Sequence, residues 1–373
     1  MPSPAGSDNR KLFVSMIFVL LLLPSIIILI SFTNKFSLIR LKNAEKISPF
    51  AITVLVPLRN EEKNVEAVVA SLKKQRGLPH FNIVLIDDNS TDQTRRLCSE
   101  AISNDSRFSL LVGSKLPKEW LGKPFALKQG LELCDSELII LIDADVRLKE
   151  NAIAEAATLF AAKGLDFISV YPKEIALTWS ERLIQPLLQW SWLASVPLKV
   201  AEHSSRQSLA IANGQFFLLR KSSLLAVGGF DSICDAVIDD IALARVFLRN
   251  GFHGTVVDGS RVAECRMYQS WEELRNGYSK SLPVAFGGWF GSSLVVILLF
   301  LTGVLPLAFA LTGSTVGIAS LSLIYLSRLL SARITGGRWI DAIAHPLSSL
   351  LLIYMIVRSW RTRGKILWKG RAI

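Results

Sequence analysis

The sequence predicts an α/β domain with a mostly parallel, Rossmann-like sheet, placed between N-terminal and C-terminal transmembrane helices. Strand-like and helix-like segments alternate from residue 51 to about residue 259, as in a series of βαβ units. Residues 138–142, Leu-Ile-Ile-Leu-Ile, are apolar without polar alternation, which is typical of a strand buried on both faces. Long apolar stretches lie near both ends of the chain and are typical of membrane helices.

Composition and charge favour a membrane partner over a nucleic-acid partner. The chain has 373 residues, a net charge of +11 and 50% hydrophobic residues. The hydrophobic residues concentrate in the first few dozen positions and after Trp289, and the basic excess flanks these stretches, as at membrane edges. The middle of the chain has no Arg/Lys stripe interleaved with aromatic residues, so we expect no nucleic acid to bind. The cysteines and histidines show no metal-ligand spacing.

Residues 12–32 form a nearly uninterrupted apolar run that is long enough to cross a bilayer as a helix. A cleaved signal peptide is the alternative, but the run is long for one and no small-residue cleavage site follows. More basic residues follow the run than precede it, which places its C-terminal side in the cytoplasm. Those before it are Arg10 and Lys11, and those after it are Lys35, Arg40, Lys42 and Lys46. We therefore expect a multi-pass cell-membrane protein whose soluble domain is cytoplasmic.

The soluble part predicts alternating strands and helices. Strands are expected at residues 52–57, 82–86, 108–112 and 138–142, and helices at residues 61–75, 94–103 and 123–134. Asn60 is the expected N-cap of the first of these helices. No G-x-G-x-x-G follows the first strand and no G-x-x-x-x-G-K-[ST] occurs, so neither a dinucleotide oxidoreductase nor a P-loop protein is indicated.

Residues 179–200 combine three tryptophans with leucines and two prolines, and they allow two interpretations. The segment is either an ordinary core helix or a helix lying in the membrane interface, where indole rings are favoured. Three apolar stretches follow, at residues 289–311, 316–330 and 340–357. Three crossings would leave the basic tail outside, against the positive-inside rule. We therefore expect the third stretch to be re-entrant or interfacial, broken at Gly336-Gly337 and His345-Pro346.

Two carboxylates follow the buried strand, at Asp143 and Asp145. Residues i and i+2 of an extended chain point to the same side, so both would reach one spot at the ligand-binding edge of the sheet. Hard oxygen ligands at this edge suit Mg²⁺ or Mn²⁺ shared with a phosphate. The alternative is a strand end in which an Asp only caps the next segment. Asp145 is expected to have no basic neighbour that could replace a cation.

Further carboxylates come after other strands, as Glu61-Glu62, Asp87-Asp88 and Asp239-Asp240. An acidic pair at a helix start is also an ordinary capping arrangement, so Asp239-Asp240 alone proves little. Several such clusters in one crevice would repel each other unless a cation and a basic side chain relieve the charge. Lys123 is the candidate basic partner, either for these groups or for a diphosphate.

Seven segments carry a family resemblance: Val54-Leu55-Val56-Pro57-Leu58-Arg59-Asn60-Glu61-Glu62, Ile86-Asp87-Asp88-Asn89-Ser90-Thr91-Asp92, Gly122-Lys123, Asp143-Ala144-Asp145, Asn213-Gly214-Gln215-Phe216, Gly228-Gly229-Phe230 and Asp239-Asp240. In this order they resemble the motifs of family 2 glycosyltransferases, which have the GT-A nucleotide-sugar-binding fold. The resemblance covers roughly residues 50–285. Within the family the chain is most similar to membrane-anchored carotenoid and hopanoid-associated glycosyltransferases, on Trp120-Leu121-Gly122-Lys123, Ile238-Asp239-Asp240, the C-terminal apolar stretches and Trp368-Lys369-Gly370-Arg371.

The resemblance implies a role for each matching residue. Pro57, Arg59 and Glu61 would line the nucleoside pocket, and Asp88 would face a uracil. Asp143 would lie by the ribose, and Asp145, with Asp143 beside it, would hold a divalent Mg²⁺ or Mn²⁺ on the diphosphate. Lys123 would also contact the donor. Asp240 would be the general base that takes the proton of the acceptor hydroxyl, with inversion at the anomeric carbon.

The implied organisation is a membrane anchor and linker at residues 1–46, a GT-A domain at 47–285 and a membrane region with a basic tail at 286–373. The Q-x-x-R-W element of processive synthases is absent, and Gln269-Ser270-Trp271-Glu272-Glu273-Leu274-Arg275 stands in its place. This departure favours transfer of one sugar, from a nucleotide sugar such as a UDP-sugar to a membrane-embedded isoprenoid lipid. The alternatives are a polyprenyl-phosphate glycosyltransferase and, in another class, a non-catalytic scaffold or transporter.

Overall fold

The computed structural model describes the backbone of residues 5–363, 367–368 and 371–372, and the side chains of residues 17–363. By internal packing the chain forms two compact units. The helical unit comprises the described residues of 1–37, 176–197 and 268–366, and the α/β unit comprises those of 38–175, 198–267 and 367–373. Residues 176–197, which the sequence placed within the soluble domain, therefore pack with the helical unit.

A seven-stranded sheet forms the centre of the α/β unit. Its strands are β1 (Ile52–Leu58), β2 (Phe81–Asp87), β3 (Phe108–Val112), β4 (Leu138–Ile142), β6 (Phe167–Tyr171), β8 (Phe216–Arg220) and β9 (Gly254–Asp258), in the spatial order β3-β2-β1-β4-β8-β6-β9. The first four pair in parallel, while β8 runs antiparallel to both neighbours. The expected mostly parallel sheet is confirmed, with one reversed strand inside it.

A three-stranded sheet lies beyond the carboxyl end of β4. It contains β5 (Val146–Leu148), β7 (Lys173–Glu174) and β10 (Ala263–Cys265), with β10 in the centre. Cys265 pairs with Val146 on one side and with Glu174 on the other. This small sheet gathers residues that are far apart in the sequence. A separate two-stranded ribbon is formed by β11 (Leu367–Trp368) and β12 (Arg371–Ala372).

Helices cover the central sheet on both faces. They are α2 (Val65–Lys73), α3 (Thr94–Ile102), α4 (Gly122–Leu131), α5 (Ala152–Lys163), α8 (Lys221–Ala226) and α9 (Asp239–Arg249). The α/β unit also contains the short helix α7 (Leu198–Ala201). The two cores that result contain alternate residues of the same strands: Val54 and Val56 face one core, and Leu55 faces the other. All five residues of β4 are buried, because both of its faces are covered.

The expected N-cap at Asn60 is wrong. α2 begins at Val65 and its N-cap position is Asn64. Asn60 has a φ of 52°, in the left-handed region that Asn tolerates, and its side-chain oxygen accepts a hydrogen bond from the Thr91 amide at 2.8 Å. Asn60 therefore fixes the loop after β1 against the loop after β2, and the helix starts only after that loop.

The helical unit contains α1 (Ala5–Ser37), α6 (Trp179–Ser195), α10 (Trp271–Ala285), α11 (Gly288–Leu299), α12 (Leu305–Leu311), α13 (Thr315–Thr335) and α14 (His345–Arg361). A π-helical turn at Phe300–Val304 joins α11 to α12. Pro306 lies two residues after this turn. The wider turn accommodates the proline ring, which would clash with the preceding turn of a regular α-helix.

Three helices of the described chain are long and apolar enough to cross a membrane: Ile17–Ser37, Gly288–Leu311 and Thr315–Thr335. The first two match stretches expected from the sequence, and the third is longer than the marginal run of residues 316–330. α14, which contains most of the stretch expected to be re-entrant or interfacial, has 17 residues. That length corresponds to about 25 Å, less than the roughly 30 Å of a bilayer core.

The tryptophan-rich segment contains tryptophans in different surroundings. Trp190 of α6 is 5% exposed, and its indole N–H donates to Ser327 Oγ at 2.7 Å within the helical unit. Trp179, at the start of α6, is 59% exposed and lies 5.4 Å from the Trp271 ring. Trp190 is thus a core residue, whereas Trp179 is available to a surface environment.

Candidate active site

The loops after β1 and β2 meet at the carboxyl edge of the sheet. Leu58 pairs with Asp87 at the ends of these strands, and the Asp88 amide donates to Leu58 O at 2.8 Å. Arg59 Nη1 donates to the carbonyl oxygens of Asp88 at 2.7 Å and of Asn89 at 2.9 Å. The Arg59 guanidinium therefore holds the two loops together, and Asp88 is buried beneath it.

Glu61 is connected to the turn after β4 through a chain of hydrogen bonds. Asn64 Nδ2 donates to Glu61 Oε2 at 2.9 Å, and Arg147 Nη2 donates to Asn64 Oδ1 at 2.8 Å. The structure therefore brings Arg59, Glu61 and Asp88 to one edge, as the family resemblance implied. Pro57 lies one residue before Leu58, the last residue of β1, and pairs with Ile86 inside the sheet.

Asp143 and Asp145 lie in a turn, not in an extended segment as expected. β4 ends at Ile142, and the Val146 amide donates to Asp143 O at 3.1 Å, which closes the turn. The two carboxylates therefore do not project from one extended strand, although both act electrostatically on the Cys265 thiol.

Lys123 carries the positive charge among the carboxylates on the Asp143 side. It lies in the first turn of α4, and its Nζ is 2.7 Å from Asp143 Oδ1 and 3.3 Å from Asp239 Oδ2. Burial by itself would lower the pKa of Lys123, but the charges of Asp143, Asp239 and Asp240 raise it above its usual value. Lys123 therefore stays charged in the protein.

Asp240 is held by main-chain amides and has a raised pKa. Its Oδ2 accepts a hydrogen bond from the Gly214 amide at 2.6 Å, and its Oδ1 accepts one from the Ile241 amide at 2.7 Å. Burial, followed by the charge of Asp239, raises the pKa of Asp240 to about 7, against the lowering effect of Lys123. A carboxylate with this pKa is suited to proton transfer near neutral pH.

Two further residues shape the surroundings of Asp240. Asp239 pairs with Lys123, the candidate basic partner for these acids, and the start of α9 has no side-chain cap. At Gly214 an added Cβ would lie 3.2 Å from Lys123 Nζ and 3.3 Å from Asp240 Cβ. The missing side chain at Gly214 therefore allows its amide to approach the Asp240 carboxylate.

Asp145 lies in a second cluster, built by the small sheet. Gln215 Nε2 donates to Cys265 Sγ at 2.9 Å, and Cys265 pairs with Glu174 across β10 and β7. Burial, followed by the negative charge of Asp145, raises the pKa of Glu174 to about 8. Sequence reasoning missed Glu174 and Cys265, since they come from separate short strands and share no motif.

The expectation that Asp145 has no basic neighbour is wrong. The Arg147 guanidinium interacts electrostatically with both Asp145 and Glu61. Its position two residues after Asp145 was the available sequence signal. Arg147 Nη1 also donates to the carbonyl oxygens of Ala144 at 2.7 Å and Val146 at 2.8 Å, so its guanidinium is committed to shaping the turn.

The donor set at this edge fits a divalent cation shared with a ligand. Asp145 and Asp143 supply the hard oxygens that Mg²⁺ and Mn²⁺ prefer, and burial, together with the nearby charge of Asp145, raises the pKa of Glu174. Among the residues with described side chains, no three His, Cys, Asp or Glu residues form a complete metal site. One or two protein carboxylates would therefore hold the cation, and phosphate or water oxygens would complete its coordination.

The chain is similar to known proteins over most of its length. The family model described as glycosyl transferase family 2 matches residues 53–228. The 4,4'-diaponeurosporenoate glycosyltransferase of Staphylococcus aureus strain USA300 is 26% identical over 336 residues, which cover 86% of this chain and 88% of that protein. The protein of the same name from strain MRSA252 is 24% identical over 337 residues, with the same coverage.

One solved structure shares the fold at low sequence identity. It is a mannosyltransferase from Pyrobaculum calidifontis, solved in complex with GDP-Man and Mn²⁺. It aligns with a TM-score of 0.55 and 14% identity, over 95% of this chain and 100% of the other. The family 2 resemblance, the GT-A-like fold and the similarity to a carotenoid glycosyltransferase are thereby confirmed.

The charges around Asp240 predict opposite pH shifts in two variants. Transfer should require the ionised Asp240, so the rate should fall as pH decreases through about 7. Asp239→Asn removes a charge that raises the pKa of Asp240, and the acid limb of kcat/KM should move to lower pH. Lys123→Met removes a charge that lowers the pKa of Asp240, so the acid limb of kcat/KM should move to higher pH. Initial rates from pH 5.5 to 9, about 1.5 to 2 pH units on either side of the Asp240 pKa, measure both shifts.

Lys118→Met is the matched control for this prediction, because Lys118 is an exposed lysine close to Lys123 in the sequence. Its acid limb should coincide with that of the unmodified protein. Shifts of Asp239→Asn and Lys123→Met in the same direction would show that Asp240 does not control the limb.

Proposed function

We propose that this chain, which carries a family 2 glycosyltransferase domain, transfers a single sugar from a UDP-sugar to an isoprenoid lipid such as a carotenoid, with inversion at the anomeric carbon. The observation that carries the proposal is the partly buried Asp240 carboxylate, oriented by two main-chain amides and with a pKa of about 7. Such a group can accept the proton of an acceptor hydroxyl near neutral pH.

The donor would bind across the loops after β1 and β2. Arg59, Glu61 and Asp88 are held there by main-chain and side-chain hydrogen bonds, which limits their motion before a nucleoside arrives. Pro57 would border the same pocket from within β1. Preorganisation of this kind reduces the entropy cost of binding, and the hydrogen bonds among these loops support the nucleoside role.

The diphosphate would lie over the turn after β4. Asp145 and Asp143 would hold a divalent cation there, and when bound it would neutralise the charge that develops on the leaving nucleoside diphosphate. Lys123 already contacts Asp143, so the arrival of a diphosphate would give its ammonium group a second anionic partner. Both effects favour departure of the nucleoside diphosphate.

The acceptor would approach Asp240 from the face of the sugar opposite the diphosphate. Proton transfer to Asp240 would then accompany attack on the anomeric carbon, which inverts its configuration. A lipid acceptor is supported by the names of the Staphylococcus relatives and by the three apolar helices of the described chain. We further propose that these helices make a multi-pass cell-membrane protein with a cytoplasmic α/β unit.

Substitution of Asp240 should separate chemistry from donor binding. Asp240→Asn keeps the side-chain shape but cannot accept the proton, so the transfer rate should fall by roughly 10²- to 10⁴-fold while donor affinity changes little. Asp145→Asn should weaken donor binding in the presence of metal as well as transfer. Calorimetric titration with UDP-sugar, together with a radiolabelled transfer assay, measures the two effects separately.

Asp235→Asn is the matched control for Asp240→Asn, because Asp235 is exposed and five residues upstream. It should keep both donor affinity and rate. Loss of donor binding in Asp240→Asn, or an unchanged transfer rate in that variant, would mean that the base has been assigned wrongly.

Metal removal provides a test of the two carboxylates in the turn. Chelation should abolish transfer, and added Mg²⁺ or Mn²⁺ should restore it, because Arg147 is committed to main-chain carbonyls and cannot take the place of the cation on the diphosphate. The assay is run on protein dialysed against chelator, with Ca²⁺ as a comparison ion. Full turnover in excess chelator would remove the metal from the proposal.

Reporter fusions test the orientation in the membrane. A reporter after Lys46 and another after Ile373 should both behave as cytoplasmic, because the basic residues flank the first helix on that side and α14 is short for a crossing. Alkaline phosphatase and green fluorescent protein fusions report opposite sides and are used as a pair. An external reporter after Lys46 would reverse the whole topology, and an external one after Ile373 would show that α14 crosses.

A further inference from the structure

We infer that a recess of the helical unit, between α6, the end of α13 and the short turn Trp339–Ala342, binds the anionic head group of a membrane lipid. This inference rests on the proposed membrane location, but not on the proposed sugar transfer. The residues that line the recess include Pro186, Gln189, Arg328, Ser331, Thr335 and Arg338. Its enclosed space is about 10 Å³, the size of a single phosphate or carboxylate oxygen, and its mouth is open, so the rest of a head group would lie outside it.

Arg328 is a buried basic residue within an apolar helix. It lies within α13, one of the helices long enough to cross a membrane, and it is 2% exposed. Its guanidinium donates to Pro186 O at 2.7 Å and, through a long contact of 3.5 Å, to Asp341 O. Both acceptors are neutral carbonyl oxygens. A buried charge in an apolar helix is costly, so a charged residue at such a position points to a function.

The nearby carboxylate is largely taken by another arginine. Asp341 is 4% exposed, and its Oδ1 accepts hydrogen bonds from Arg182 Nε at 2.9 Å and Nη2 at 2.7 Å. Asp341 also attracts Arg328 electrostatically, and His345 lies within range of the Arg328 charge. Two guanidinium groups thus share the one carboxylate described in this cluster. One positive charge remains for an anion to balance.

The other groups around the recess suit an oxyanion. Gln189, Ser331 and Thr335 are polar and buried, and Arg338 is exposed at the rim. Arginine binds carboxylate and phosphate oxygens through paired N–H groups, which a lone halide could not use as well. The recess therefore offers one buried and one exposed guanidinium, with hydroxyl and amide groups beside them.

The position in the helix identifies the source of the anion. The recess adjoins the last two turns of α13, which ends at Thr335. Arg333, Arg338 and Trp339 are all exposed around this end, the combination found where a membrane helix meets the lipid head groups. An anion at this depth would belong to a lipid more readily than to the solution.

The test measures lipid retention by the full-length protein. Protein in mild detergent is mixed with phosphatidylglycerol or phosphatidylcholine, and bound lipid is counted by native mass spectrometry. Phosphatidylglycerol should be retained preferentially, and Arg338→Gln should weaken its apparent affinity about fivefold, as expected for one arginine near an anionic head group. Because Arg338 is exposed, this variant should fold. Arg333→Gln is the matched control, because Arg333 is an exposed arginine in the last turn of α13 that does not line the recess, and this variant should retain the lipid as the unmodified protein does.

Arg328→Gln should abolish the preference for the anionic lipid, and circular dichroism checks that the variant is folded. If it is not folded, the comparison of Arg338→Gln with Arg333→Gln still decides. Equal retention of the two lipids, or equal losses in Arg338→Gln and Arg333→Gln, would overturn the inference. So would thermal stabilisation by inorganic phosphate that matches that by phosphatidylglycerol. None of these readouts uses sugar transfer, so failure here is distinct from failure of the proposed reaction.

Discussion

The ion pairs of Lys123 with Asp143 and Asp239 determine the charge balance at the carboxyl edge of the sheet. Three aspartates contribute negative charge around this one ammonium group. Without it, burial and mutual repulsion would favour protonation of the carboxylates and a looser arrangement of the strand-end loops. Lys123 comes from α4, Asp143 from the turn after β4 and Asp239 from α9. The same interaction therefore connects three separate elements of the α/β unit.

Much of the fold could be predicted because its signals are local. β3 and β4 lie at the expected residues, and the other strands of this half differ only at their ends. The deviations arise where long-range contacts override local preference. Asn60 looked like a helix cap, but its side chain bonds to the loop after β2. Trp190 looked compatible with a membrane surface, yet Ser327, far along the chain, provides its buried hydrogen-bond partner.

The candidate site could be predicted in its residue types but not in its contacts. The motifs identified Asp143, Asp145 and Asp240 as acids near one edge, but the first two were expected to share a face. The turn that carries them depends on the pairing of β5 with β10, whose residues follow more than a hundred positions later. Glu174 and Cys265 were missed for the same reason. Pairing of short strands depends on tertiary packing, which local sequence patterns do not encode.

Chemically similar side chains acquire different roles here because their surroundings differ. Asp143 is paired with an ammonium group, Asp145 lies near an arginine and a buried glutamate, and Asp240 is enclosed between main-chain amides. Environments that separate pKa values in this way distinguish groups that remain anionic from groups that exchange protons. A base near neutrality therefore requires both the burial of Asp240 and the adjacent charge of Asp239. Lys123 opposes both effects and keeps the pKa of Asp240 within the range in which this carboxylate could act as a base.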